Sequence, residues 1–268
     1  MSKGKVLVIG SNATRIEVQG TPGATGATGQ YLNETVVPAM ALVDAGYEVL
    51  LVTPNGAKPH IDEASDAVEH FGGDKAAYQK AKAFFADDPS MNQGRTLRSV
   101  IDEGLENYAA IFVPGGQAPV VDLMQNEEMG EIARHFHEQK KPSAFLCHGP
   151  MASVAAMPNA KEFRDALIAG DKSKAAELAK GWQYAGYKMT VFSATEEKVI
   201  EDNILHAKLF FNMPEALRTA GGDVSVTAVD FEPYVIEDRE LITGQNPRSD
   251  KPIAAKLIAA LERVAVAG

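Results

Sequence analysis

The sequence predicts an α/β fold, a doubly wound and mainly parallel sheet with helices on both faces. Three observations carry this. Short β-branched runs recur at KVLVIGS (5–11), YEVLLVTP (47–54), AAIFVPGG (109–116), PSAFLCH (142–148) and YKMTVFS (187–193). They are nearly continuous in apolar character, the pattern of strands buried on both faces rather than one. Segments of helical composition separate them, which is the rhythm of βαβ units.

In chain order, the first strand begins almost at Met1, with no preceding apolar stretch long enough for a signal peptide. GTPGATGATG (20–29) has neither the Gly-x-Gly-x-x-Gly spacing nor the Gly-Lys-Ser/Thr ending of a phosphate loop. It reads as a flexible loop, placed to act as a lid or simply mobile. A helix over 34–45 ends at Gly46, and Pro38 either begins its regular part or distorts its opening turn.

After the strand at 47–54, residues 58–107 exceed the minimal rhythm and hold a helical segment, DKAAYQKAKAFFADDP, between Gly72-Gly73 and Pro89. The strand at 109–116 leads to a helix over 119–140 that stops before Pro142. Gly149-Pro150 then opens the helix PMASVAAM, with Pro150 at a first helical position whose amide has no intrahelical partner anyway. Residues 158–183 form a second excursion, two short helices divided at Gly170, with Trp182, Tyr184 and Tyr187 packing it onto the sheet. Both excursions are expected over one edge or end of the sheet, where active-site walls are built. DVSVTAVDF (223–231) reads as a further strand, YVIEDRELITG (234–244) as a hairpin turning at Glu237-Asp238-Arg239, and 249–265 as a covering helix. A single domain over residues 1–268 is expected.

Composition narrows the function. With 36 acidic against 26 basic side chains, the surface repels phosphate backbones and anionic membranes, so nucleic acid is not an expected partner. No apolar run approaches a membrane span. The single cysteine cannot form an internal disulfide and fits a reducing cytoplasm. His135 and His137 are two apart on a helix and face different ways, while His60, His70 and His206 are isolated, so no metal is expected.

The chemistry points to Cys147. It stands where a strand gives way to a helix, at the carboxyl end of the sheet where ligands gather. That turn is similar to the nucleophile elbow of α/β hydrolases, and the helix N-terminus behind it favours thiolate. A free cysteine is often just a small buried hydrophobe. The His148-Gly149-Pro150 that follows weighs toward a nucleophile. Neighbouring strand residues point to opposite faces, so the turn decides whether His148 meets Cys147. Gly115 and Gly116 end another strand. Their amides, with that of His148, suit an oxyanion hole, or else a simple tight turn.

VPGG (113–116), AFLCHGP (144–150) and ELITGQNPRSDKPIA (240–254) together closely resemble the ThiJ/PfpI family of the class I glutamine amidotransferase-like superfamily. The nearest branch is the heat-shock one of glutathione-independent glyoxalases and holdase chaperones. The resemblance spans essentially the whole chain. It implies a flavodoxin-like sandwich, a homodimer, and a Cys-His pair with a nearby glutamate, for which Glu34 is the match. A carboxyl beside a nucleophilic sulfur should be held neutral and donate a hydrogen bond, although an acid in a helix's first turn is also ordinary. The resemblance further implies an acid that orients His148: Glu197, with Glu196 as the fallback. The implied activity needs no cofactor. Cys147 would convert a small 2-oxoaldehyde such as methylglyoxal to a 2-hydroxy acid. The alternatives are a cysteine hydrolase (amidase, peptidase or deglycase) and a stress-response holdase or thiol redox sensor.

Overall fold

In β1 (Lys5–Ile9), a strand flanked on both sides within the sheet, alternate side chains go to opposite cores. Leu7 and Ile9 join one apolar cluster, Val6 and Val8 the other, and all four are sealed from solvent. A strand with two buried faces needs cover on both, and the rest of the chain supplies it. The computed structural model describes residues 2–267.

A short antiparallel pair, β2 (Arg15–Glu17) and β3 (Thr25–Ala27), precedes α1 (Leu32–Asp44) and β4 (Glu48–Thr53). The first excursion carries α2 (Lys75–Asp87), β5 (Arg95–Thr96) and α3 (Leu97–Glu103), ahead of β6 (Ala110–Val113), α4 (Glu127–Glu138) and β7 (Ser143–Leu146). Then come α5 (Ala160–Ile168), α6 (Lys172–Leu178), β8 (Lys188–Met189), α7 (Ala194–Ile200) and α8 (Met213–Thr219). β9 (Asp223–Val224), the hairpin β10 (Val235–Asp238) and β11 (Leu241–Gly244), and α9 (Asp250–Ala267) complete the order. The seven-stranded sheet runs β10-β11-β7-β6-β1-β4-β5, every neighbour parallel except β10 against β11. α1 and α9 cover one face through Ala39, Leu42, Ile253 and Leu257; α4 covers the other through Met129, Ile132 and Phe136.

Several elements differ from expectation, each for a local reason. α1 begins at Leu32, so Pro38 lies in its interior, where it leaves the Glu34 carbonyl without a helical donor. The run 187–193 pairs as a strand only at Lys188–Met189, with β9. Both sides of β11 are already occupied, by β7 and β10, so Thr190 N–H meets only the Thr243 hydroxyl, at 2.9 Å. Past Val224 the expected strand at 223–231 does not continue, and Val229 is exposed. The hairpin turns at Arg239-Glu240, one residue later than expected, with Arg239 at a left-handed φ of 59°. α4 is shorter than the expected 119–140, and two 3₁₀ turns, Ala118–Val120 and Leu123–Gln125, precede it. Gly149–Ala156 also winds as a 3₁₀ helix, the Ser153 hydroxyl donating to the Pro150 carbonyl at 2.6 Å.

The glycine-rich tract is not a loose loop. Thr25–Ala27 pairs with Arg15–Glu17, and Gly26 packs so tightly that a Cβ there would lie 2.7 Å from Leu205 Cδ2. The 158–183 excursion divides at Gly170 as expected, but it lies away from the large cavity and packs on the Gly149–Ala156 turn. Trp182 Nε1 donates to the Ser153 carbonyl there at 2.9 Å. No helix among the described residues is long and apolar enough to cross a membrane.

Candidate active site

β7 is buried throughout, and the chain leaves it through Cys147 at φ 62°, a left-handed conformation that a non-glycine residue adopts only under constraint. The constraint comes from hydrogen bonds on both sides. Cys147 N–H donates to the Gly244 carbonyl at 2.8 Å, and Phe192 N–H donates to the Cys147 carbonyl at 2.9 Å. Close approach from β6 does the rest. A Cβ at Gly115 would lie 2.6 Å from Cys147 Cβ and 2.5 Å from Glu34 Oε2, and one at Gly149 would strike the Val113 carbonyl. Gly149→Ala is therefore expected to cost about 2–3 kcal/mol through overpacking against backbone, read as a lowered urea midpoint.

The strained turn brings together side chains that a strand would separate. Cys147 Sγ lies 3.3 Å from His148 Nδ1, and His148 Nε2 lies 2.5 Å from Glu197 Oε2. Phe192 stacks beside the imidazole with centroids 4.6 Å apart. Glu197 sits in the first turn of α7, so it is Glu197 that meets His148. Glu196 turns the other way. It closes a capping box with Ser193 and accepts from Phe231 N–H, Gln245 Nε2 and Asn246 Nδ2. The Gln245-Asn246 pair of the TGQNP segment thus anchors the base of α7, away from the sulfur.

Glu34, in the first turn of α1, is sealed from solvent against the thiol. Its Oε2 accepts from Gly115 N–H at 2.8 Å, and Oε1 has no conventional hydrogen-bond partner. Burial pushes the carboxyl up to about 8, against the smaller opposing pull of Cys147 and Gly115 as donors. Burial also pushes the Cys147 thiol well above its ordinary value, and negative charge on Glu34 adds to this. The thiol is thus harder to ionise by itself than a helix N-terminus alone suggests. Two features offset this. A Glu34 that is protonated at neutral pH presents a donor rather than a charge, and His148 can take the sulfur's proton within a buried ion pair.

The three expected oxyanion donors do not stand alike. The Gly115 amide is committed to Glu34. The Gly116 amide points at Cys147, and the His148 amide has no acceptor among the described residues. Gly116 thus offers an amide beside the sulfur, and the His148 amide is not committed to another acceptor.

A cavity of about 860 Å³ reaches Cys147 and continues along α1 past Met40 to Asp44. Tyr31, Asp62 and His70 line one wall, so the first excursion does build onto the site, and Phe192, Ile204 and Phe231 line the other. No group of three or more His, Cys, Asp or Glu side chains among the described residues could hold a metal ion. His137 is instead bound through Nδ1 to Glu240, 2.7 Å away.

The profile of the DJ-1/PfpI family matches residues 27–162, which carry Glu34, the Gly115-Gly116 turn and the Cys147-His148 elbow. The chain belongs to the DJ-1/PfpI family. Among relatives of this DJ-1/PfpI protein is the protein/nucleic acid deglycase HchA of Staphylococcus aureus, 27% identical over 258 residues, covering 91% of this chain and 75% of that protein. Among solved structures, the Rapid Encystment Protein 24 KDa of Francisella tularensis superposes with a TM-score of 0.72 at 22% identity, covering 96% of this chain and 99% of the other. Glyoxalase III of Candida albicans superposes with a TM-score of 0.68 at 18% identity, covering 96% and 97%. Both structural likenesses speak to the fold. The staphylococcal relative's name includes nucleic acid, so the exclusion of nucleic acid drawn from net charge does not extend to that relative.

Proposed function

We propose that this DJ-1/PfpI protein is a cofactor-independent cysteine enzyme that converts a small 2-oxoaldehyde, such as methylglyoxal, to its 2-hydroxy acid. The observation that carries the reading is the buried chain from Cys147 through His148 to Glu197, with Glu34 on the sulfur's other side. The sulfur gives its proton to His148 and adds to the aldehyde carbon. A C–S bond forms, and the carbonyl electron pair becomes an alkoxide facing the amides of Gly116 and His148. The alkoxide takes the proton that His148 holds; His148, neutral again, or Glu34 once ionised, then carries the proton from that carbon to its neighbour through an enediolate, leaving a thioester of the 2-hydroxy acid. Water cleaves the thioester and restores the thiol, so one water is consumed for each oxoaldehyde. The reading treats residues 1–268 as one domain working where a lone thiol stays reduced.

Incubation with methylglyoxal should yield lactate, and Cys147→Ala should lower turnover by about 10⁴-fold or more. Equal activity of wild type and variant would overturn the reading.

A second reading, hydrolysis of an oxoaldehyde adduct on an amino or thiol group, is favoured by cavity size. The cavity of about 860 Å³ leads from Cys147 out along α1 and leaves room for a substrate larger than a three-carbon aldehyde. The deglycase name of the staphylococcal relatives supports it too. Mass spectrometry separates the two. Release of free amine from a glycated peptide at a higher kcat/KM than lactate from methylglyoxal would favour the second.

A further inference from the structure

No sequence motif singles out Gln117, yet it completes the buried relay. The residue is 5% exposed, and Nε2 lies 2.5 Å from Glu197 Oε1, the carboxylate oxygen that His148 does not use. The backbone makes this reach possible. Gly116, at φ 81°, turns the chain after β6, and a Cβ there would strike the Gly29 carbonyl. Each oxygen of Glu197 thus has one donor, an imidazole for one and a neutral amide for the other. Glu197 itself is only 2% exposed, so the carboxylate depends on these two donors rather than on bulk solvent.

We propose that Gln117 is a positioning residue: its amide fixes the Glu197 carboxylate in rotation and in charge, so that a proton leaving Cys147 is held on His148. The inference rests on the reading of Cys147 as nucleophile. In the step concerned, the S–H bond breaks and the proton goes to His148 Nδ1, while Nε2–H stays bonded to Glu197. One net negative charge is kept throughout, and no outside acid or base is needed. A neutral donor favours the charged carboxylate without adding a cation that competes with the imidazolium. Without it, Oε1 is a buried acceptor with no partner, and Glu197 rotates away from His148 Nε2 to find one. The proton then stays on sulfur. The other titratable groups facing this relay are Glu34 and Tyr31 at the start of α1, Asp62 in the segment after β4, and Glu196 beside Glu197 on α7. None of them is altered by the substitutions below.

The test is the rate of Cys147 alkylation by iodoacetamide between pH 5 and 10 in the intact protein, with Cys147→Ala as the blank. Gln117→Leu should move the midpoint up by about one pH unit and slow alkylation near pH 6.5 about tenfold. It should lower kcat and leave KM within about twofold. Gln117→Glu keeps the shape but puts two carboxylates at hydrogen-bond distance, where they share a proton. It should alkylate at nearly the wild-type rate in the acid range and lose that rate as the shared proton leaves. A packing role alone would lower stability and leave both midpoints in place.

Wild-type midpoints in both variants, or a Gln117→Glu profile that follows Gln117→Leu at every pH, would overturn the inference. If Gln117→Leu does not fold, the near-isosteric Gln117→Glu decides by its own pH trend. A wild-type profile that His148→Ala leaves unchanged would overturn the nucleophile reading itself, and Gln117 with it. Unmoved Gln117 variants beside a wild type that depends on His148 overturn only the role of Gln117.

Discussion

Replacing Glu34 with glutamine is expected to stabilise the fold at pH 7 by up to roughly 3 kcal/mol while lowering turnover by about 10²-fold or more. The carboxyl is sealed from solvent, and burial lifts it from 4.5 to about 8. Between those two values the folded protein keeps a proton that the unfolded chain releases, so stability falls as pH rises through the window and levels off above about 8. About two and a half pH units of that window lie below pH 7, at about 1.4 kcal/mol per unit. Glutamine is neutral at every pH and can mimic the protonated acid, its carbonyl accepting from Gly115 N–H and its amide facing the sulfur. The variant should therefore lack the slope. Urea unfolding at pH 5 and pH 8 should show the two proteins close together at the lower pH and separated at the higher. Identical pH profiles would mean that Glu34 does not titrate in this window. The loss of turnover is the outcome expected where Glu34, rather than His148, carries the proton between substrate carbons, because an amide can donate to the sulfur but cannot take up a proton.

The central fold was legible because its signal is one-dimensional. Strands buried on both faces show as apolar runs at 5–11, 47–54, 109–116 and 142–148, and all four became neighbours in one parallel sheet. The run at 187–193 has the same composition, but in the sheet both sides of β11 are filled by β7 and β10, a tertiary fact that no local window contains. The elbow at Cys147 could be inferred from the small and rigid residues after it. The left-handed φ that swings His148 onto the sulfur is set instead by the Gly244 and Phe192 hydrogen bonds, far away in sequence. The raised thiol was missed for a related reason. Helix polarity is visible in sequence, whereas the extent of burial is not, and burial dominates here. Gln117 carried no motif, and its one signal was its place directly after the Gly115-Gly116 turn.

Glu196 and Glu197 are adjacent, both buried and both glutamates, yet glutamine at each should fail in a different way. Glu196 accepts hydrogen bonds from Ser193 N–H at 3.0 Å, Phe231 N–H at 2.7 Å, Asn246 Nδ2 at 2.9 Å and Gln245 Nε2 at 3.1 Å. All four are donors, so an amide NH₂ on either side faces at least one of them. Glu196→Gln should cost about 2–4 kcal/mol through this donor-donor conflict, seen as a lower urea midpoint, with kcat per folded molecule nearly unchanged. Glu197 has two donors, Gln117 Nε2 and His148 Nε2–H. A glutamine there can satisfy Gln117 with its carbonyl, but its own NH₂ then faces His148 Nε2. The imidazole must switch tautomer, placing its proton on Nδ1, the nitrogen that has to receive the thiol proton. Glu197→Gln should therefore fold nearly as well as wild type and lose about 10³–10⁴-fold in turnover, the size of effect known for wrong-tautomer substitutions in triad enzymes. Kinetics and unfolding on the two variants check this together. If the Glu197 variant turns over normally, His148 does not depend on this carboxylate, and the relay from sulfur to α7 is not how the thiol is activated.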